Sequence, residues 1–157
     1  MDFRARIEQM QDELIAHLQG CIQIPSVYTE DDSGYPYGKP VQDCLEYVLN
    51  CAAKLGFSTV NMDNQVGWCE YGEGEEMVAV LGHLDVVAPG EGWTVTEPYS
   101  PKLVEGMLYG RGTDDDKGPV VASLLAMKAV KDLGIPLTKN CRCIMGTNEE
   151  SGSGDIA

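Results

Sequence analysis

The stretch MVAVLGHLDVV, residues 77–87, decides the fold class of this chain. Its first five residues form a continuous apolar run, which is typical of a β-strand buried on both faces of a sheet. The polar segment GHLDVV follows without a break. We therefore expect a core strand over residues 77–81 whose carboxyl end carries His83 and Asp85.

Helical and strand patterns surround this run. Apolar side chains recur at helical spacing in three segments, each closed by a glycine: 2–20, 41–55 and 119–133. Proline and glycine predict a loop over residues 25–40. Short strands are predicted over 57–62, 66–71, 102–104, 107–109 and 141–145. Glu105-Gly106 predicts a hairpin between two of these strands. Strands mixed with covering helices indicate the α/β class.

The composition bounds the function of the chain. Its 157 residues predict one domain, large enough to bury a core. The formal net charge of −14 argues against nucleic acid or an anionic membrane as the main partner. No apolar run approaches the roughly 18 residues that span a bilayer. The first residues lack the apolar core of a signal peptide, so we expect a cytoplasmic protein.

Six cysteines fall almost entirely within predicted helices and strands. Without an export signal, this distribution favours free thiols in a reducing cytoplasm. Cys141 and Cys143 would face one side of a strand and could contribute to a metal site. A single pair is weak support for metal binding, and buried thiols are the favoured interpretation.

The segment GHLDVV, residues 82–87, is the first of three that concentrate polar chemistry. In an extended chain the side chains of His83 and Asp85 point the same way. A neighbouring carboxylate orients a metal-ligating histidine and makes it more basic. Taken alone, the pattern favours a strand-end histidine that is hydrogen-bonded to a carboxylate without a metal.

The second segment is GRGTDDDKGP, residues 110–119. Three consecutive aspartates repel one another, and such a cluster usually needs cations or solvent. Capping of the following helix explains one of these aspartates well and three of them poorly.

The third segment is GTNEESGSG, residues 146–154. Glu149 and Glu150 come soon after a predicted strand, where one carboxylate can bind metal while the other handles a proton. A solvated acidic turn is the plainer interpretation of an isolated Glu-Glu pair.

The three segments together support a ligand site more strongly than each does alone, because ligands bind beyond the carboxyl ends of strands in open α/β sheets. One imidazole and several carboxylates, without thiolates, suit zinc, manganese or cobalt at a catalytic site. The residues therefore predict metal-assisted hydrolysis.

The motifs GHLDVV, GRGTDDDKGP and NEESG, in this order, resemble the signature of the co-catalytic zinc metallopeptidase family. The extended form GHLDVVAPGEGW is most similar to dipeptidases of the peptidase V and Xaa-His type. The resemblance covers essentially the whole chain. It implies that residues 1–157 are the N-terminal portion of a catalytic domain, with a mixed, mostly parallel sheet and flanking helices. The family's lid or dimerisation domain is absent from these residues.

The resemblance also implies roles for individual residues around two divalent metal ions, zinc first and manganese or cobalt as alternatives. His83 and Glu150 would each ligate one metal, and Asp115 would bridge both. Asp85 would orient His83. Glu149 would be the general base that takes a proton from the metal-bridging water.

The implied activity is hydrolysis of a dipeptide or short peptide. The Asp115–Asp116 peptide bond is commonly cis in the family. The chain stops before the family's further acidic ligand and final histidine, so we expect weak metal binding and little turnover from it alone. We also expect self-association, or pairing with a missing C-terminal portion, through exposed sheet edges. A deacylase or desuccinylase of the same family, a non-catalytic fragment, and half of a split enzyme remain alternatives.

Overall fold

The computed structural model describes residues 2–156, so Met1 and Ala157, the two ends of the predicted unit, lie outside the described residues. In chain order the elements are α1 (Phe3–Gln9), α2 (Gln11–Ile22), α3 (Lys39–Lys54), β1 (Ser58–Met62), β2 (Val66–Tyr71), β3 (Met77–His83), β4 (Lys102–Val104), β5 (Met107–Tyr109), α4 (Lys117–Asp132), β6 (Asn140–Gly146) and a 3₁₀ turn (Glu149–Ser151).

Four strands form one sheet in the order β1-β2-β6-β3. The predicted mixed α/β architecture is confirmed, but the prediction of a mostly parallel sheet is wrong. Among the strands of residues 2–156, only β3 and β6 run parallel, whereas β2 is antiparallel to both β1 and β6. A tight turn joins β1 to β2, with φ of 53° at Asp63 and 59° at Asn64. Such a short connection can join only antiparallel strands.

A separate hairpin of β4 and β5 turns at Glu105 and Gly106, where φ is 50° and 82°. Its strands have the bounds that the sequence predicts.

Strand β3 differs most from its expected environment. Val78 and Leu81 are 53% and 56% exposed, so the prediction that both faces are buried is wrong. The strand lies at an edge of the sheet, with β6 as its neighbour. Its carboxyl end is covered, because His83 is 8% exposed. The apolar pattern indicates that the strand is suited to pack against another apolar surface. The described residues leave most of the strand exposed.

The first helical segment is also divided. The sequence predicted one helix over residues 2–20, but the backbone leaves helical geometry at Met10, and α2 continues to Ile22. Met10 is buried in the core at this break. Gly20 does not end the helix. It allows close approach of α3, because a Cβ there would lie 2.6 Å from Cζ of Tyr47.

Helices α2, α3 and α4 pack with the sheet around a single apolar core. Its fully buried members include Ile22, Leu45, Leu84, Leu124 and Met145. All six cysteines are free thiols, as predicted. Within residues 2–156, no helix has the length and apolar character needed to cross a bilayer.

Candidate metal centre

The three polar segments meet at the carboxyl ends of β3 and β6. These strands run parallel with His83 opposite Gly146, so the residues that follow both strands emerge at one edge. His83 closes β3, and Glu149 opens the 3₁₀ turn after β6. Asp115 lies in the loop before α4 and reaches the same edge.

His83 is the centre of this cluster. Its Nε2 atom lies 3.1 Å from Oδ1 of Asp115 and 3.8 Å from Oε2 of Glu149. One ligand atom from each of His83, Glu149 and Glu150 lies within 4.8 Å of the other two. The imidazole is mostly buried, whereas the side chains of Asp115 and Glu149 are 74% and 56% exposed. These two carboxylates are therefore accessible to solvent, whereas the imidazole is mostly covered by protein.

Asp85 is the fully buried anchor of the site. Its Oδ1 accepts a hydrogen bond from the backbone N–H of Glu149 at 3.1 Å, and its Oδ2 accepts one from Glu150 at 3.0 Å. Its Oδ1 also lies 3.4 Å from Nδ1 of His83, which is 3.1 Å from the Asp85 carbonyl oxygen. One carboxylate thus contacts the imidazole and both glutamate amides. The resemblance implied only the contact with His83.

The electrostatics of the site favour a bound cation. The hydrogen bond that His83 donates to the Asp85 carboxylate is the main cause that raises the pKa of His83 to about 9, against the opposing effect of burial. Burial, followed by the charge of Asp115, raises the pKa of Glu150. A divalent cation would balance the negative charge of the carboxylates and would bind His83 in its neutral form.

Asp116 has a role that sequence reasoning missed. It occupies the N-cap position of α4 but makes no side-chain capping bond there. Its Oδ2 instead accepts the backbone N–H of His83 at 3.1 Å. Helix capping therefore does not account for this aspartate. The Asp115–Asp116 peptide bond is cis, as the resemblance implied.

The second motif contains Lys117, but the sequence did not predict a role for this residue. It is fully buried, and its Nζ donates to the carbonyl oxygens of Cys21 at 3.0 Å and Ile24 at 2.7 Å. These bonds fasten the aspartate-rich loop to the end of α2.

Asp155 supports the glutamate turn, and nothing in the sequence marked it. Its Oδ2 accepts the backbone N–H groups of Thr147 and Asn148. With His83 and Glu149 it lines a cavity of about 300 Å³.

The donor set fits a divalent metal. One imidazole nitrogen and the carboxylates of Asp115, Glu149 and Glu150 are the ligands that zinc, manganese and cobalt accept. Cys141 and Cys143 do not belong to the metal-competent group found among residues 2–156. The five site residues implied by the resemblance therefore lie together, and the C-x-C pair lies elsewhere.

Comparison with known proteins identifies the family. The sequence model of Peptidase family M20/M25/M40 matches residues 79–157. The chain belongs to this family. The matched M20 region contains His83, Asp115 and both glutamates of the site, so the family indicated by the three motifs is confirmed.

The M20 relatives extend the similarity to nearly the whole chain. It is 41% identical over 153 residues to "Putative dipeptidase YtjP" of Bacillus subtilis (strain 168), covering 96% of this chain and 33% of that relative. Human carnosine dipeptidase 1 superposes with a TM-score of 0.81 at 28% identity, covering 98% of this chain and 35% of that one. The dipeptidase Dug1p of Saccharomyces cerevisiae superposes with a TM-score of 0.80 at 26% identity, again covering 98% and 35%.

This M20 chain therefore spans about a third of the length of the curated relatives it matches. Its fold corresponds to the N-terminal portion of M20 peptidase domains.

Proposed function

We propose that this chain carries part of the catalytic centre of a two-metal dipeptidase that hydrolyses short peptides with water. The observation that carries the proposal is the convergence of His83 with Asp115, Glu149 and Glu150 at one sheet edge. Relatives named as dipeptidases support a dipeptide substrate, and the deacylase or desuccinylase activity is the alternative.

His83, Asp115 and Glu150 are the residues that would hold the two ions, with zinc first and manganese or cobalt as alternatives. When bound, the ions lower the pKa of water and polarise the scissile carbonyl. Asp116 accepts a hydrogen bond from the backbone N–H of His83, and Asp85 lies beside its Nδ1 atom. The imidazole is thereby fixed with Nε2 towards the carboxylates.

Glu149 is the general base of this proposal. Its carboxylate is more than half exposed and lies beside His83 Nε2, so water and substrate can reach it. It takes a proton from the attacking water and returns it to the leaving amine. Asp85 sets the position of Glu149 through its backbone amide.

The proposal extends to the context of the chain. Residues 1–157 would belong to one catalytic domain, and a reducing cytoplasm would keep the six thiols free. We expect weak metal binding and little turnover from these residues alone. The exposed apolar side chains of β3 favour self-association of the isolated chain.

A chimaera tests the proposed activity. Residues 1–157 replace the corresponding third of the Bacillus subtilis relative, and hydrolysis of dipeptides and of acylated amino acids is measured with zinc, manganese or cobalt. We expect metal-dependent dipeptide hydrolysis that falls about 10²–10⁴-fold in Glu149→Gln. Glu8→Gln, in an exposed pair on α1, is the matched control.

Two results would overturn the proposal. If a folded chimaera hydrolyses dipeptides equally well with Glu149→Gln, then Glu149 is not the general base. A chimaera that prefers acylated amino acids over dipeptides would support the deacylase alternative.

A further inference from the structure

Two thiols meet where α2 packs on α3. The Sγ atoms of Cys21 and Cys44 lie 3.5 Å apart, and neither residue is accessible to solvent. The helices approach closely here because Gly20 leaves room for the ring of Tyr47. The hydroxyl of Tyr47 also donates to the carbonyl oxygen of His17 at 3.2 Å. The pair is thus held in contact by helix packing that does not involve the sulfur atoms.

The surroundings of the pair are polar on one side. The Lys117 ammonium group is anchored on the carbonyl oxygens of Cys21 and Ile24. The hydrogen bond from Cys21 is the main cause that lowers the pKa of Cys44 to about 7, and the charge of Lys117 adds to it against the effect of burial. The hydrogen bond with Cys44, followed by burial, raises the pKa of Cys21. The charge of Lys117 therefore favours a thiolate within the pair, at Cys44, the thiol whose pKa is lowered.

We propose that Cys21 and Cys44 form a redox modification site, at which a hydroperoxide converts the thiol pair to a reversible disulfide. The Cys44 thiolate attacks one peroxide oxygen and breaks the O–O bond. The leaving hydroxide takes up the proton that Cys44 lost and departs as water, leaving a sulfenic acid on Cys44. The Cys21 sulfur then attacks the Cys44 sulfur and displaces a second water that carries the Cys21 proton. Both thiols are oxidised together by two electrons, and hydrogen peroxide is reduced to two water molecules.

Hydrogen bonds link the surroundings of the Cys21–Cys44 pair to two segments that carry residues of the proposed metal site. Formation of the disulfide brings the sulfurs from 3.5 Å to about 2.05 Å, so the two side chains or the helices that carry them must move closer together. The carbonyl of Cys21 holds Lys117, which directly follows the Asp115–Asp116 pair.

On the other side lies Ser26, which helps to lower the pKa of Cys44. The Ser26 hydroxyl donates to the carbonyl oxygen of Leu84 at 2.6 Å, and Leu84 lies between His83 and Asp85. Only this consequence for the metal site rests on the proposed function. The disulfide itself does not.

A second thiol pair in the same molecule provides the contrast. Cys69 and Cys143 are opposite each other on β2 and β6, and both are buried. The hydrogen bond with Cys143 is the main cause that lowers the pKa of Cys69, but the charge of Glu70 opposes it, whereas the charge of Lys117 favours a thiolate at the helix pair. The proposal therefore predicts that peroxide links Cys21 to Cys44 and leaves the strand pair reduced.

The test is peptide mapping of the full chain after exposure to hydrogen peroxide. Remaining thiols are alkylated under unfolding conditions, and cross-linked peptides are identified by mass spectrometry. We expect a Cys21–Cys44 cross-link that a dithiol reductant removes, while Cys69 and Cys143 remain alkylated. Cys44→Ala should abolish it, and Cys141→Ala is the matched control, with folding of each variant checked by circular dichroism.

Hydrogen exchange supplies a readout that needs no metal and no activity. Amide exchange over residues 112–118 should change when the wild-type chain is oxidised, because Lys117 is fastened to Cys21. Wild-type chain that stays folded in peroxide with Cys21 and Cys44 both alkylated would overturn the proposal. A cross-link that forms equally at Cys69–Cys143 would overturn it as well.

Discussion

Asp85 Oδ2 accepts the backbone N–H of Glu150 at 3.0 Å across 65 positions of sequence. The bond joins the segment after β3 to the turn after β6. Together with the bond from Asp85 Oδ1 to the amide of Glu149, it fixes both glutamates relative to His83. The candidate metal centre therefore depends on a residue that is buried beneath its proposed ligands.

Replacing Asp85 by asparagine tests this dependence. An amide NH₂ cannot accept a backbone N–H, so one of the two anchors is lost together with the charge beside His83. We expect divalent metal affinity to fall about 10–100-fold in Asp85→Asn, measured by competition with a chromophoric chelator. Asp32→Asn, at an exposed loop carboxylate, is the control. Equal affinity of the two variants would show that Asp85 does not organise the site.

A substitution at Gly82 tests how tightly the backbone next to His83 is packed. A Cβ there would lie 2.7 Å from Cγ2 of Val120 and closer still to the Asp116 carboxylate. We expect Gly82→Ala to lower the free energy of unfolding by about 1–3 kcal/mol, measured by urea denaturation. Gly154→Ala is the matched control, because its nearest atoms would be 3.4 Å away. Similar stability of the two variants would contradict the close approach.

The ion pair between Arg142 and Glu70 gives a pH prediction. Hydrogen bonds, first from Arg142 and then from Asn140, lower the pKa of Glu70 below its ordinary value of 4.5. A lowered folded-state pKa contributes stability above the unfolded value, and the contribution is lost as the pH falls through the folded value. Glu70→Gln should therefore cost about 1 kcal/mol or less at pH 7, and the difference from wild type should shrink below about pH 4.

Urea denaturation across this pH range measures the Glu70 effect. Glu75→Gln, at an exposed site, should follow the wild type throughout. A cost of Glu70→Gln that stays constant to acid pH would exclude the ion pair as its source.

Strand β3 leads to a prediction on association. Val78 is 53% exposed on this edge strand, and a lysine there adds charge to an apolar surface. We expect concentration-dependent association of the chain in sedimentation velocity, reduced in Val78→Lys. Val60→Lys on β1, at the other edge of the sheet, is the control and should associate as the wild type does. A wild-type chain that sediments as a monomer at all concentrations would contradict the prediction.

Local patterns predicted the parts of the fold that depend on neighbours in sequence. Strand β2 has the predicted bounds, and the β4–β5 hairpin turns at Glu105 and Gly106. The proximity of the candidate site residues could also be predicted, because strand ends mark the edge at which ligands gather.

Long-range contacts explain what the sequence did not reveal. The break at Met10 places that side chain in a core made by distant elements, and helical spacing continues across it. Exposure of Val78 depends on which strand lies beside β3. Lys117 contacts a carbonyl 96 positions away, and Asp85 contacts amides more than 60 positions away. No local propensity encodes such pairs.

We propose that His83 and its neighbouring carboxylates hold divalent metal. Calorimetric titration of the chain with zinc measures this binding, with His83→Ala and His17→Ala compared. His17 is the chain's other histidine and lies on α2, away from the site. We expect saturable binding to the wild type and to His17→Ala, with affinity at least about tenfold weaker in His83→Ala. Equal zinc affinity of all three proteins, or no binding by the wild type, would contradict it.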